Sequence, residues 1–266
     1  MPTKIKYYLL VFVLSAISAS AQKSLVVYHV TGSVNITSGN TSVIAKRGDV
    51  LAKSSSLQVK QGAGCMLIEE KGKSLLINIV GNYTFAALQS KMLNEGKVGV
   101  SQKFFSYVYD NLHAGKKDDK LSVTPVVFRG DELMKVPFDN TIITSDTFML
   151  GWKKPAGKIP VHLIIWNSAD EKVLDTVLRN STSMLIDIKK NYFIPGNTYK
   201  WKAEEFDTRQ PKEKYFYFLL PEKIDSKQIL KDCKLLQSKS LSYELKAQMR
   251  QDMFVKWKQY YADKRE

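Results

Sequence analysis

Histidine and cysteine are scarce in this chain: three His and two Cys in 266 residues. Two cysteines cannot build the multi-bridge framework of a small disulfide-held domain. Cys65 sits in an expected strand and Cys233 on the apolar stripe of an expected helix, so two separately buried thiols are the reading. Pairing in an oxidising compartment is the alternative. No His joins either cysteine at metal-ligand spacing, so no zinc site is expected. His29, His113 and His162 fall in a strand, a linker and a strand, and no G-x-S-x-G elbow accompanies them. Acyl transfer therefore lacks both a nucleophile and a supporting base. There is no phosphate-cradling glycine loop, and "DNLHAGKKDDK" lacks the oxygen spacing of a calcium loop. Glu69–Glu70 and Glu204–Glu205 are adjacent pairs, which on strands point to opposite faces and cannot share a substrate. The chain reads as non-enzymatic, with no catalytic residue, cofactor or metal.

Acidic residues are few beside basic ones, 26 against 40, for a formal charge of +14. The excess is scattered over Lys46, Arg47, Lys53, "GKKDDK" at 115–120 and the C-terminal lysines. A nucleic-acid protein concentrates its charge on one helix or groove, so that partner is not expected. Peripheral contact with an anionic membrane or cell-wall glycan stays open.

Long apolar runs are confined to the first 21 residues. Lys4 and Lys6 precede the run Tyr7 to Ile17, and Ala19-Ser20-Ala21 has the small-x-small form of a cleavage site. These are the parts of a cleavable signal peptide, residues 1–21. Removing it leaves Gln22 first and lowers the formal charge to +12 by the loss of two lysines. The expected destination is the periplasm or cell envelope of a bacterium, with no transmembrane segment in the mature chain.

What remains is mainly β. From Ser24 to Ala87, runs of four to seven residues are cut by glycine turns: "LVVYHV", "SVNI", "SSLQV", "CMLIEE" and "SLLINIV". That spacing indicates an all-β roll or sandwich. The ordered elements "VTGSV" (30–34), "RGDVL" (47–51) and "EKGKSLLIN" (70–78) resemble the FecR-like domain of bacterial envelope proteins. The resemblance covers residues 22–90. FecR regulators carry a cytoplasmic segment and a membrane helix ahead of this domain, so their signalling role does not transfer. Residues 91–120 read as a helix, "KFFSYVYDNL" at 103–112, followed by a charged linker.

Residues 121–220 hold eight candidate strands, beginning at "VTPVVF" (123–128) and ending at "KYFYFLL" (214–220), the size of an immunoglobulin-like sandwich. "TFMLGW" followed by "IPGNTYKWKAE" resembles a fibronectin type III domain. The resemblance makes Trp152 the core Trp and Tyr199 the tyrosine-corner residue, its hydroxyl bonded back to the preceding loop. On a strand, Tyr199, Trp201 and Ala203 share one face while Lys200, Lys202 and Glu204 share the other. Lysines at that density cannot be buried unpaired, so the aromatic face is expected inside. The run 161–166 is apolar on both faces, which leaves Trp166 as a candidate binding residue.

In residues 221–266, Asp225 or Ser226 can cap a helix through Ile229, Leu230, Cys233 and Leu236. After a break at "SKS", a longer helix carries Leu245, Met249, Met253 and Trp257 at helical spacing. Its other face holds Lys246, Arg250, Lys256 and Lys258. A helical hairpin docked on the sandwich, with the basic face exposed, is the expectation. The alternative is an amphipathic anchor on a membrane or partner, using Trp257, Lys246 and Arg250. Functionally the chain reads as an extracytoplasmic scaffold that binds an envelope protein. The second reading is a glycan- or peptidoglycan-binding module using Tyr83, Trp166 or Tyr217.

Overall fold

Alternation of period two builds most of the molecule. In "VNITS", Val34 and Ile36 are buried while Asn35 and Thr37 are half-exposed on the opposite side. Alternation of this kind folds a strand with one face inward. The computed structural model describes residues 24–95, 102–113, 133–155, 159–190, 193–206, 214–237 and 241–264. It is mainly β, with four sheets and four α-helices among the described residues. The chain divides into two units, Met1–Gly96 and Lys97–Glu266.

The first unit contains β1 (Leu25–Thr31), β2 (Val34–Ser38), β3 (Thr41–Ile44), β4 (Val50–Leu51), β5 (Ser55–Val59), β6 (Gly64–Glu69), β7 (Ser74–Ile77) and β8 (Gly81–Thr84). They form two antiparallel sheets, ordered β4-β1-β6-β7 and β3-β2-β5-β8. Val27, Val34, Leu57, Cys65, Leu67 and Ile77 meet in one core. Gly32 has φ +68°, and a Cβ there would stand 3.0 Å from the Ala63 backbone, so only glycine fits that turn. Helix α1 (Phe85–Glu95) closes this core with Phe85, Leu88 and Met92. Alternation ends at Thr84, whose hydroxyl accepts from the Ala87 N–H at 3.3 Å, a helix-start contact. Residues 91–95, expected to begin the segment joining the two halves, are instead part of the first unit.

The second unit begins with α2 (Gln102–His113), where Phe104, Phe105, Val108 and Tyr109 are buried. The expected boundary lay after this helix; it falls before it, at Gly96/Lys97. The reason is that α2 lies against the last helix of the same unit, with Tyr107 Oη donating to Gln259 Oε1 at 3.3 Å.

Its strands are β9 (Met134–Val136), β10 (Thr141–Ile142), β11 (Thr147–Trp152), β12 (Val161–Trp166), β13 (Lys172–Leu178), β14 (Ser183–Asp187), β15 (Thr198–Glu205) and β16 (Phe216–Leu219). The candidate strand 123–128 lies outside the described residues. The sheet orders are β10-β16-β15-β12-β13 and β14-β11-β9. Trp152, Trp201, Tyr199, Leu163, Ile186 and Phe218 fill the space between them. Tyr199 stacks on Phe218 with ring centroids 5.4 Å apart. Its hydroxyl accepts from the Ile194 N–H at 2.7 Å, and Trp152 Nε1 donates to the Ser181 carbonyl at 3.0 Å. Tyr199 and Trp201 are core residues.

Two C-terminal helices complete the unit, α3 (Ser226–Cys233) and α4 (Tyr243–Asp263). Ser242 caps α4, its hydroxyl accepting from the Leu245 N–H at 3.2 Å. Ile229, Phe254, Trp257 and Tyr261 pack on Leu219 of β16 and Ile142 of β10. Leu230, expected in this seam, is 51% exposed because it lies on the outer side of α3. No described helix is long and apolar enough to cross a membrane.

Candidate functional site

On the outer face of the five-stranded sheet in the second unit, a group of aromatic side chains reaches the surface. Register sets them in rows. Tyr217, Lys200 and Trp166 stand opposite one another on β16, β15 and β12. The next row runs through Lys202, Ile164 and Asp175, and the third through Glu204, His162 and Val177. Tyr215 enters beside them from the start of the β16 hairpin arm.

Trp166 and Tyr215 meet edge to face with centroids 5.4 Å apart. Lys200 Nζ lies 4.8 Å from the Tyr215 ring and 5.7 Å from the Trp166 ring, and Lys202 Nζ lies 5.8 Å from Tyr215. Both are in range for cation–π attraction. Neither ammonium lacks a counter-ion: Lys200 pairs with Asp170 at 2.6 Å and Lys202 with Glu204 at 2.8 Å. The Asp170 hydrogen bond raises the Lys200 pKa above its ordinary value. Asp170 is itself held by the β12–β13 turn, in which Asn167 Oδ1 accepts from the N–H groups of Ala169 and Glu171 at 2.9 and 3.0 Å. His162 is clasped between Asp175, 2.6 Å from Nε2, and Glu204, 3.8 Å from Nδ1. Hydrogen bonds first from Lys172 and then from His162 lower the Asp175 pKa.

The patch is thus a rigid, charge-balanced platform with Trp166 and Tyr215 half-buried and Tyr217 exposed. Held aromatic rings of this kind suit recognition, because little rotamer freedom is left to lose on contact. Among the described residues no three His, Cys, Asp or Glu side chains converge to hold a metal ion.

Of the candidates read from sequence, Trp166 and Tyr217 belong to this patch. Trp257 is 5% exposed and sits in the seam between helix and sandwich, so it is not a surface anchor. Arg250 is half-buried with its guanidinium 4.7 Å over the Phe138 ring. Lys246 is half-buried on the same helix. Lys256 pairs internally with the buried Asp232. The expected exposed basic face of α4 is therefore largely spent within the unit, because helix α2 and the sandwich both cover α4. Tyr83 turns toward the first core and donates from its hydroxyl to the Ile79 carbonyl at 2.9 Å. Tyr215, Lys200 and Lys202 were not singled out as site residues. Their signal is the alternation "KYFYF", which places Tyr215 and Tyr217 on the face opposite Phe216 and Phe218.

Both thiols are free, and burial raises them, Cys65 to about 12 and Cys233 to about 11. Only the thiolate reacts readily, so both should resist a disulfide reagent at pH 8 in the native protein. Two equivalents should react promptly in denaturant. Fast titration of Cys65 without denaturant would contradict its burial.

No protein-family model matches the chain, and no curated protein matches it in sequence.

Proposed function

We propose that this is an exported, non-enzymatic scaffold protein of the bacterial cell envelope, which binds a protein partner through the outer face of its five-stranded sheet. In this reading the first unit is FecR-like and the second fibronectin type III-like. The first identification rests on the motif order "VTGSV", "RGDVL", "EKGKSLLIN". The second draws support from the buried Trp152 and from the Tyr199 hydroxyl held by Ile194. The observation that carries the function is the platform of Trp166, Tyr215 and Tyr217 laced with Lys200 and Lys202. A sheet face that needed only to be wet has no use for three aromatic rings, whereas Trp and Tyr are the residues that anchor protein interfaces.

Co-purification from detergent-solubilised envelope tests this. The wild-type chain should bring down a stoichiometric partner, and Trp166→Ala should lose it. Because Trp166 is half-buried, Tyr217→Ala at the exposed rim serves as the second variant; it should weaken capture while leaving the melting curve in place. A wild-type protein that always elutes alone as a monomer would sink the proposal, as would capture indifferent to both substitutions.

A further inference from the structure

The five-stranded sheet of the second unit ends on β13, which pairs with β12 and with no other strand among the described residues. Hydrogen-bond phase shows which of its backbone groups are left over. The Phe206 N–H bonds the Pro160 carbonyl at 2.8 Å, and this pair continues the β12–β15 register. Hydrogen-bonded pairs alternate along an antiparallel ladder, so the even-numbered residues of β12 bond to β15 and the odd-numbered ones to β13. Val161, Leu163 and Ile165 therefore engage Leu178, Thr176 and Leu174. Between these, Asp175 and Val177 turn their N–H and C=O groups to the open edge.

Sheets ordinarily blunt an edge with proline, lysine or a bulge. The register shift in β13 falls at its start, opposite Ile165 and Trp166, and leaves Leu174–Leu178 regular, with neither proline nor lysine. Val173, Leu174 and Leu178 pack on the core yet stay half-buried, because no strand lies beside them. The outward side chains form a short pattern. Asp175 carries a carboxylate, Val177 is 42% exposed, and Arg179 follows just past the strand. Arg179 is exposed and has no ion-pair partner among the described residues.

We propose that β13 docks on the β13 of a second copy of this chain, antiparallel about a two-fold axis at Val177. Unpaired edge groups call for an extended strand, and the side chains decide which strand fits. With the axis at Val177, Asp175 of each copy faces Arg179 of the other and the two valines meet. An axis at Asp175 would set two carboxylates opposite one another. An axis at Thr176 would set Asp175 against Val177 and leave Arg179 unmet. Opposite charges across a strand pair stabilise it and like charges oppose it. The pattern is thus self-complementary, as an isologous interface requires. The axis stands perpendicular to the joined sheet, so both aromatic platforms lie on one face, and a partner with two sites would bind with avidity. The pairing itself does not rest on what the platforms bind.

One short ladder makes a weak interface, so the test is sedimentation velocity of the full chain at concentrations from about 5 to 500 μM. The wild type should pass from monomer to dimer. Val177→Lys places two cations together at the axis, and Arg179→Asp sets like charges across it. Each should weaken self-association tenfold or more and leave the melting curve in place. Combining Asp175→Arg with Arg179→Asp restores the match with signs reversed, and this variant should dimerise again. A wild type that stays monomeric throughout would overturn the proposal. So would a dimer indifferent to both single variants, or a folded swap variant that stays monomeric. Hydrogen exchange at Asp175 and Val177 should slow as the dimer forms. Protection of these amides in a monomer would assign the edge to another segment of this chain. Fast exchange at every concentration would leave it to a different protein, and either result refutes self-pairing.

Discussion

Deleting residues 222–266 is expected to abolish cooperative melting of the second unit. Ile229, Phe254, Trp257 and Tyr261 would be removed from Leu219 and Ile142. Burial of each large side chain is worth roughly 1.5–3 kcal/mol. Four of them approach the whole margin of a typical domain, about 5–15 kcal/mol. Specific contacts go with them. The Tyr261 hydroxyl accepts from the Glu222 N–H at 2.9 Å and donates to Asp225 at 2.8 Å, and the Tyr261 ring lies against the Gly196 turn of the sandwich. Near-ultraviolet circular dichroism of Trp152 and Trp201 follows the outcome. The truncated chain should lose that signal, bind a hydrophobic dye and aggregate. The first unit has its own core and should keep its own transition. If both transitions survive unchanged, α3 and α4 contribute nothing to the fold and the anchor alternative is right.

Lys256→Met is the point substitution with the largest expected cost. Asp232 is fully buried, accepting from Gln228 Nε2 at 2.8 Å and from Lys256 Nζ at 3.0 Å. Lys256 also sits 5.1 Å from the Trp257 ring, which adds a weaker attraction. Removing one partner of a buried pair leaves an uncompensated charge and costs about 3–5 kcal/mol. Lys256 keeps 17% of its side chain exposed, so the lower end, about 3 kcal/mol, is expected after solvent screening. That corresponds to a fall in melting temperature of about 6–12 °C for a unit of this size. The double variant Asp232→Leu, Lys256→Met removes both charges and should recover most of the loss. A double-mutant cycle without coupling would show that the pair is not a unit.

Much of the strand layout was legible because it is local. "VNITS" and "TYKWKAE" alternate, and the pleat turns alternation directly into an inner and an outer face. Tyr199 and Trp201 went inside for the reason their neighbours announced: lysines stood at every second position. Helix α1 was less legible. Phe85, Leu88 and Met92 have helical spacing, but they follow strands closely and "GNYTF" reads as one more. The candidate site was half legible. Trp166 showed itself as an apolar residue on the wrong face of a strand. Its companions come from β15 and the β16 arm, and register alone puts Lys200 opposite both Trp166 and Tyr217.

The sequence by itself determined that the chain is mainly β, that its two cysteines are not a disulfide framework, and which side of each alternating strand is apolar. Propensity and period are properties of a few neighbouring residues, and no distant contact is needed to express them. Tertiary structure alone decided what the charged side chains do. Lys256 and Arg250 lie on a helix that reads as basic and exposed. Whether such a cation meets water depends on what packs beside it. Here Asp232, 24 residues away in the chain, and Phe138, on a different element, take them instead. The same holds for the open sheet face of the second unit: the alternation sets which residues point outward, and only strand order sets which of them stand together as a platform.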